Sequence, residues 1–158
     1  MEFLIDCKEQ KYFKMEYRNA SLYMVLYSMK GILFLSAQRY GKLKSVLAEL
    51  HHSLLNIDQS PVKTYFYLGG NIYAYVISRF RCIQIRKFKY YAFTQKSYPT
   101  KNGISLKIHQ WEIFCSHLEH MEIIHPLFLV VNACIHTNKT DYNNCVECLP
   151  PGLGSEFI

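Results

Sequence analysis

The same order of elements can be read twice along this chain, and that repetition limits the fold more than any composition figure does. In the first pass residues 11–18 alternate. Phe13, Met15 and Tyr17 point one way and Tyr12, Lys14, Glu16 and Arg18 the other, the period of a half-buried strand. Residues 21–29 read as a second strand, Lys30-Gly31 as a turn and residues 32–35 as a third strand. Ser36 is placed to cap a helix, and Tyr40, Leu43, Leu47, Leu50 and Leu54 follow at helical spacing over about 37–55. After the polar break Asn56-Ile57-Asp58-Gln59-Ser60-Pro61 the pattern restarts. Residues 65–68, closed by Gly69-Gly70, then 72–77, 82–91 and 103–108 read as strands. A helix at 109–124 then carries Trp111, Phe114, Leu118 and Met121 on one face.

An ungapped register sets Leu35 on Leu106 and Tyr40 on Trp111. The main difference lies before the last strand, where Met29-Lys30-Gly31 is tight and residues 93–102 form a long connection. Internal duplication of this kind implies a repeated architecture. The expectation is an α+β protein with two units, 1–58 and 59–124, each of strands closed by its own helix, followed by an acidic, Cys-containing tail at 125–158. Thirteen Tyr and ten Phe favour strands. Met1-Glu2-Phe3-Leu4-Ile5-Asp6 has no basic leader, and the most apolar later stretch, 123–135, is broken by His125, Pro126 and Asn132. These features predict no membrane span and an intracellular, non-secreted setting, nuclear or elsewhere, in which Asn19-Ala20-Ser21 and Asn138-Lys139-Thr140 are chance matches to glycosylation acceptors.

Charge is segregated. The net charge is +6, yet between Pro61 and Trp111 there is no Asp or Glu and there are nine Lys and Arg, Lys63 among them, interleaved with Phe and Tyr. A basic strip carrying flat rings suits a polyanion whose bases stack, which is single-stranded nucleic acid. Along 82–91, Ile83 and Ile85 can face the helix, leaving Gln84, Arg86, Phe88 and Tyr90 outward. Arg86 can hold phosphate bidentately or stack on a base, and Phe88 and Tyr90 offer platforms worth about 1–3 kcal/mol per base. The bland reading is an indifferently decorated sheet face. Trp111, on the apolar stripe of its helix, reads as core.

Four segments in series resemble the transcriptional positive cofactor four family of single-stranded-DNA-binding coactivators. Phe66-Tyr67-Leu68-Gly69, Ser78-Arg79-Phe80-Arg81, Ile83-Gln84-Ile85-Arg86-Lys87-Phe88 and Lys101-Asn102-Gly103-Ile104-Ser105-Leu106 through Gln110-Trp111 are similar to its motifs in order. His109 departs from the family's Glu at that place. The resemblance covers roughly 64–122, and the first half keeps only the shape. It implies units that are curved antiparallel sheets of about four strands backed by one helix. Two such units in one chain would form an intramolecular pseudo-dimer, either as a monomer or within a homodimer. It also implies a phosphate-contacting role for Lys101. The expected nucleic-acid-binding set is Arg79, Phe80, Arg81, Arg86, Phe88, Lys89, Tyr98 and Lys101, with Lys96 beside it in the long hairpin. The expected partner is single-stranded DNA, with RNA as the alternative and transcription or replication machinery beyond it. A protein–protein adaptor is the rival of another class.

In the tail, Cys134-x-His136 and Cys145-x-x-Cys148 supply four soft ligands, a set that could form a tetrahedral structural zinc site; the other reading is a loosely ordered tail with free thiols. No nucleophile motif, Gly-rich phosphate loop or acidic metal pair is present, so the expectation is a binder and not an enzyme.

Overall fold

A computed structural model describes residues 1–58, 64–130 and 134–152 together with the backbone of 156–157. Lys63 and residues 59–61 of the polar break lie outside the described residues. The fold is α+β. Strands β1 (Glu2–Asp6), β2 (Lys11–Arg18), β3 (Ser21–Tyr27) and β4 (Ile32–Ser36) form one antiparallel sheet in chain order. Helices α1 (Ala37–Ser45) and α2 (Leu47–Leu55) follow. A second antiparallel sheet holds β5 (Tyr65–Gly69), β6 (Ile72–Ile77), β7 (Cys82–Tyr91) and β8 (Lys96–Lys107), with the short β9 (Glu156–Phe157) parallel on the outer edge of β8. Then come α3 (Ile108–Ile124), a 3-10 turn (Pro126–Leu129) and α4 (Lys139–Asn143).

Two expected elements need correction, and one element is new. The helix expected over 37–55 is two helices meeting at Val46, where Ser45 Oγ donates to the Lys42 carbonyl at 2.7 Å. A hydroxyl bonded back to the preceding turn competes with the backbone ladder and bends a helix. The long connection expected at 93–102 is ribbon from Lys96 onward. Lys96 pairs with Tyr91, Ser97 with Tyr90, Tyr98 with Lys89 and Pro99 with Phe88, before a bulge returns Gly103 to Arg86. Finally, β1 was not anticipated; its Phe3 and Ile5 alternate into the core.

The helices do not each close their own sheet. Helix α1 packs on β4 and on β5, α2 on β6 and β7, and α3 on β1 as well as β7 and β8. One buried cluster therefore joins Phe13, Leu35, Leu43, Ile85 and Trp111 across both halves. Polar contacts tie the same seam. Gln110, fully buried, accepts from the Lys107 amide (3.0 Å) and from Lys11 Nζ (3.0 Å) while donating to Asp6 (2.8 Å). The Tyr40 hydroxyl and Lys44 both reach Glu122, each at 2.7 Å. At the seam's open side the β3–β4 turn presses on β8. Ser28 Oγ donates to the Gly103 carbonyl (3.0 Å), and a Cβ on Gly31 would stand 2.4 Å from the Lys101 carbonyl oxygen. Among the described residues no helix is long and apolar enough to cross a membrane.

Candidate nucleic-acid interface and metal cluster

That pressed turn and the outer face of β7–β8 enclose a groove of about 720 Å³. Lys11 and Lys30 line it from the first half, and Arg86, Lys101, Lys107 and Phe80 from the second. Among the described residues Glu9 is the sole carboxylate lining it, held by Lys11 (2.7 Å) and Lys107 (2.9 Å). Hydrogen bonds from those two ammonium groups hold the Glu9 carboxyl down at about 2, so it stays ionised and Lys11 and Lys107 stay committed to it. Lys30 and Lys101 are exposed and have no carboxylate partner among the described residues. They are the groove's available cations. The Phe80 ring, 66% exposed, stands at the rim with the Arg79 guanidinium 5.5 Å from its centroid.

Arg86 is organised differently from the sequence expectation. Its guanidinium donates to Gln84 Oε1 (3.1 and 2.8 Å), the Thr100 carbonyl (3.0 Å) and Ser105 Oγ (3.1 Å). With these bonds made, Arg86 contributes positive potential to the groove floor and fixes β7 against β8. Burial pushes the neighbouring Tyr75 hydroxyl up to about 12, with Arg86 pulling it back, so Tyr75 remains a protonated donor at neutral pH.

Phe88 corrects the expected stacking set. It does lie on the face away from the helices, but it is only 2% exposed. Tyr73 and Tyr75 of β6 close on it at 4.9 and 5.6 Å, and Tyr65 of β5 at 6.3 Å, making a small aromatic core on the sheet's second face. The Phe88 amide donates to the Asn71 carbonyl at 2.7 Å where the ribbon bulges. A ring held this way offers no face to a base. Arg81 is also occupied, with both Asp58 oxygens at 3.0 and 2.8 Å from its Nη2, in an exposed pair that is cheap to break.

Farther out on the β7–β8 ribbon, Tyr98 meets Tyr91 edge-on at 5.3 Å and the Lys89 ammonium sits 5.2 Å from the Tyr91 ring. Phe93, at the ribbon tip, is fully exposed. The structure thus brings Lys101 and Phe80 to one groove and puts Lys89 and Tyr98 on a separate patch of the same ribbon. Lys30 was missed as a site residue, although the parallel between Lys30-Gly31 and Lys101-Asn102 pointed to it. On the first sheet's outer face Glu16 holds Lys14 (3.1 Å), Arg18 (3.4 Å) and the Tyr27 hydroxyl (2.6 Å).

The tail is docked, contrary to the loose reading. Sγ of Cys134, Cys145 and Cys148 and a ring nitrogen of His136 lie within 4.8 Å of one another, a cluster that could hold a metal ion. Cys134 and Cys145 are 3.9 Å apart and His136 Nε2 is 3.2 Å from Cys148. Bonds of about 2.3 Å to a tetrahedral ion place sulfur ligands roughly 3.8 Å apart, so the four atoms fit such an ion with little movement. Hydrogen bonds from the amides of Glu147 and Cys148 draw the Cys145 thiol below its usual range, while burial and the neighbouring thiols push Cys148 up to about 11. No family model, curated protein or solved structure matches this chain.

Proposed function

We propose that the chain binds single-stranded DNA along the seam groove. The observation that carries this reading is the pairing of two lysines without a carboxylate partner among the described residues, Lys30 and Lys101, with the exposed Phe80 ring around one groove, where Glu9, the carboxylate among its described lining, is already neutralised. Lysines on the wall give phosphates point charges, and a ring at the rim gives a base a stacking face. Lys89, Tyr91 and Tyr98 extend the path along the ribbon. The likeness to coactivator-like units is part of the proposal. It is supported by the strand order of the two sheets, by the approach of β4 to β8 and by helices that pack across the halves, as an internal pseudo-dimer would require. Titration of single- and double-stranded oligonucleotides at several salt concentrations tests the reading. It expects preference for the single strand and a log–log salt slope of about −0.7 per phosphate neutralised. Equal binding to duplex, or no salt dependence, refutes it, and tighter binding to RNA of the same sequence reassigns the ligand.

The same proposal assigns zinc to the tail cluster, because three cysteines and one histidine offer soft and borderline ligand atoms within 4.8 Å of one another. Metal analysis of the purified chain tests it directly.

A further inference from the structure

The segment that carries the four metal ligands has almost nothing of its own to fold on. Helix α4 buries none of its residues, and its turn is held by a cap in which Asn138 accepts from the Asp141 amide at 2.8 Å. Yet the segment grips two elements that belong to different halves of the chain. From α1, Arg39 holds the Glu147 carboxylate by two bonds (2.5 and 3.1 Å), and Lys42 donates to the Glu147 carbonyl. From the β5–β6 hairpin, the Gly70 amide in the turn donates to the Val146 carbonyl at 3.0 Å, and the Tyr67 hydroxyl of β5 donates to the same oxygen. Every one of these contacts lands on Val146 or Glu147, the two residues between Cys145 and Cys148. Their conformation is what ligation of those cysteines would fix.

The turn is cut to receive them. Gly69 and Gly70 have φ of +107° and +56°; a Cβ would stand 2.2 Å from Glu147 Oε2 at the first and 2.2 Å from Arg39 Nη2 at the second. Charge fits as well. Three thiolates around one divalent ion leave a net negative centre, to which Glu147 adds, and Arg39 and Lys42 face it from α1. Gln38 Nε2 lies 2.9 Å from Cys134 Sγ, an amide hydrogen bond to a ligand sulfur from the same helix.

We infer that the metal-loaded knuckle is a clasp, in which zinc shapes the Cys145–Cys148 loop so that α1 and the β5–β6 turn hold it together. This fastens the first half's helix to the second half's sheet. The inference rests on the zinc assignment and is independent of nucleic-acid binding.

The test uses the full chain, zinc alone as the probe, and amide hydrogen exchange with thermal melting as readouts. Stripping the metal with a strong chelator should speed exchange at Gly70 and across residues 145–149 by roughly tenfold or more, as a local closed state opens. It should also lower the Tm, and returning zinc should reverse both. Arg39→Ala should retain zinc and still release the Gly70 amide, which separates docking from ligation. Stoichiometric zinc with unchanged Gly70 exchange and Tm after stripping overturns the clasp while leaving the metal site standing. Absence of zinc binding by the folded chain overturns the site, and the clasp with it.

Discussion

Phe80 and Phe88 share a residue type and nearly share a strand, and burial assigns them opposite consequences on truncation. Phe88 is 2% exposed and packed by three tyrosine rings, the nearest at 4.9 Å. Phe→Ala in a core costs about 3–5 kcal/mol, and the flanking rings can partly collapse into the space, which points to the lower end. At about 3 kcal/mol, a chain of this size should lose roughly 6–12 °C of Tm. Phe80 is two-thirds exposed at a turn, where truncation moves stability by no more than about 0.5 kcal/mol. If Phe80 stacks a base, its loss should weaken oligonucleotide binding by about 1–3 kcal/mol, or about 5- to 150-fold, with the salt slope intact because stacking releases no counterions. Urea and thermal unfolding read the first effect, and fluorescence anisotropy with a labelled single strand reads the second. A Phe88→Ala protein of normal stability and poor affinity, beside a Phe80→Ala protein of normal affinity, would refute the assignment of roles from burial.

Lys101→Ala and Lys30→Ala should each flatten the salt slope by about 0.7 and weaken all sequences alike, as anisotropy across a salt series would show. Lys11→Ala should instead lower the unfolding midpoint, since Lys11 is spent on Glu9 and Gln110. Glu9 sits at about 2 in the folded state against an ordinary 4.5, so its contribution is complete above pH 4.5 and fades as pH falls from there towards 2. Glu9→Gln should accordingly flatten the acid limb of the stability curve, followed by circular dichroism. Residues 59–124 expressed alone should show no cooperative melt, because α1 and α2, which cover β5 to β7, are missing.

Apolar runs bounded by turn residues made β6 and β7 legible to the residue, and alternation along β7 set Ile83 and Ile85 inward and Gln84 and Arg86 on the other face. The β8 extension was hidden because Lys96, Pro99, Thr100 and Asn102 look like loop. They are held by the ladder to β7 and by bonds such as Thr100 Oγ1 to the Lys87 carbonyl (2.7 Å), with little burial beyond Ser97. For Phe88, alternation told which side it faces and nothing of what stands there; the rings that cover it come from β5 and β6. That Cys134, His136, Cys145 and Cys148 could cluster was legible from spacing. Its docking was not, because Arg39 and Gly70 are remote in sequence and meet Glu147 and Val146 only once both halves are folded.

On the proposed binding mode, the position of the groove makes ligand binding and the joining of the halves one equilibrium. Lys30 and Lys101 face a common space because Gly31 lets the β3–β4 turn touch the β8 backbone. A Cβ at 2.4 Å from a carbonyl oxygen cannot be relieved by a side-chain rotation, so Gly31→Ala must part turn and strand, at a cost of about 1–3 kcal/mol. That movement separates the two lysines without altering either. A strand that spans both binds the closed seam alone, and it should therefore stabilise the native chain by RT ln(1 + [L]/Kd), about 2.7 kcal/mol at a hundredfold excess over Kd. Thermal melts with and without oligonucleotide should show this rise in the wild type and a much smaller one in Gly31→Ala at equal ligand concentration. An equal rise in both would mean that the strand engages one half only, and that the seam is not the grip.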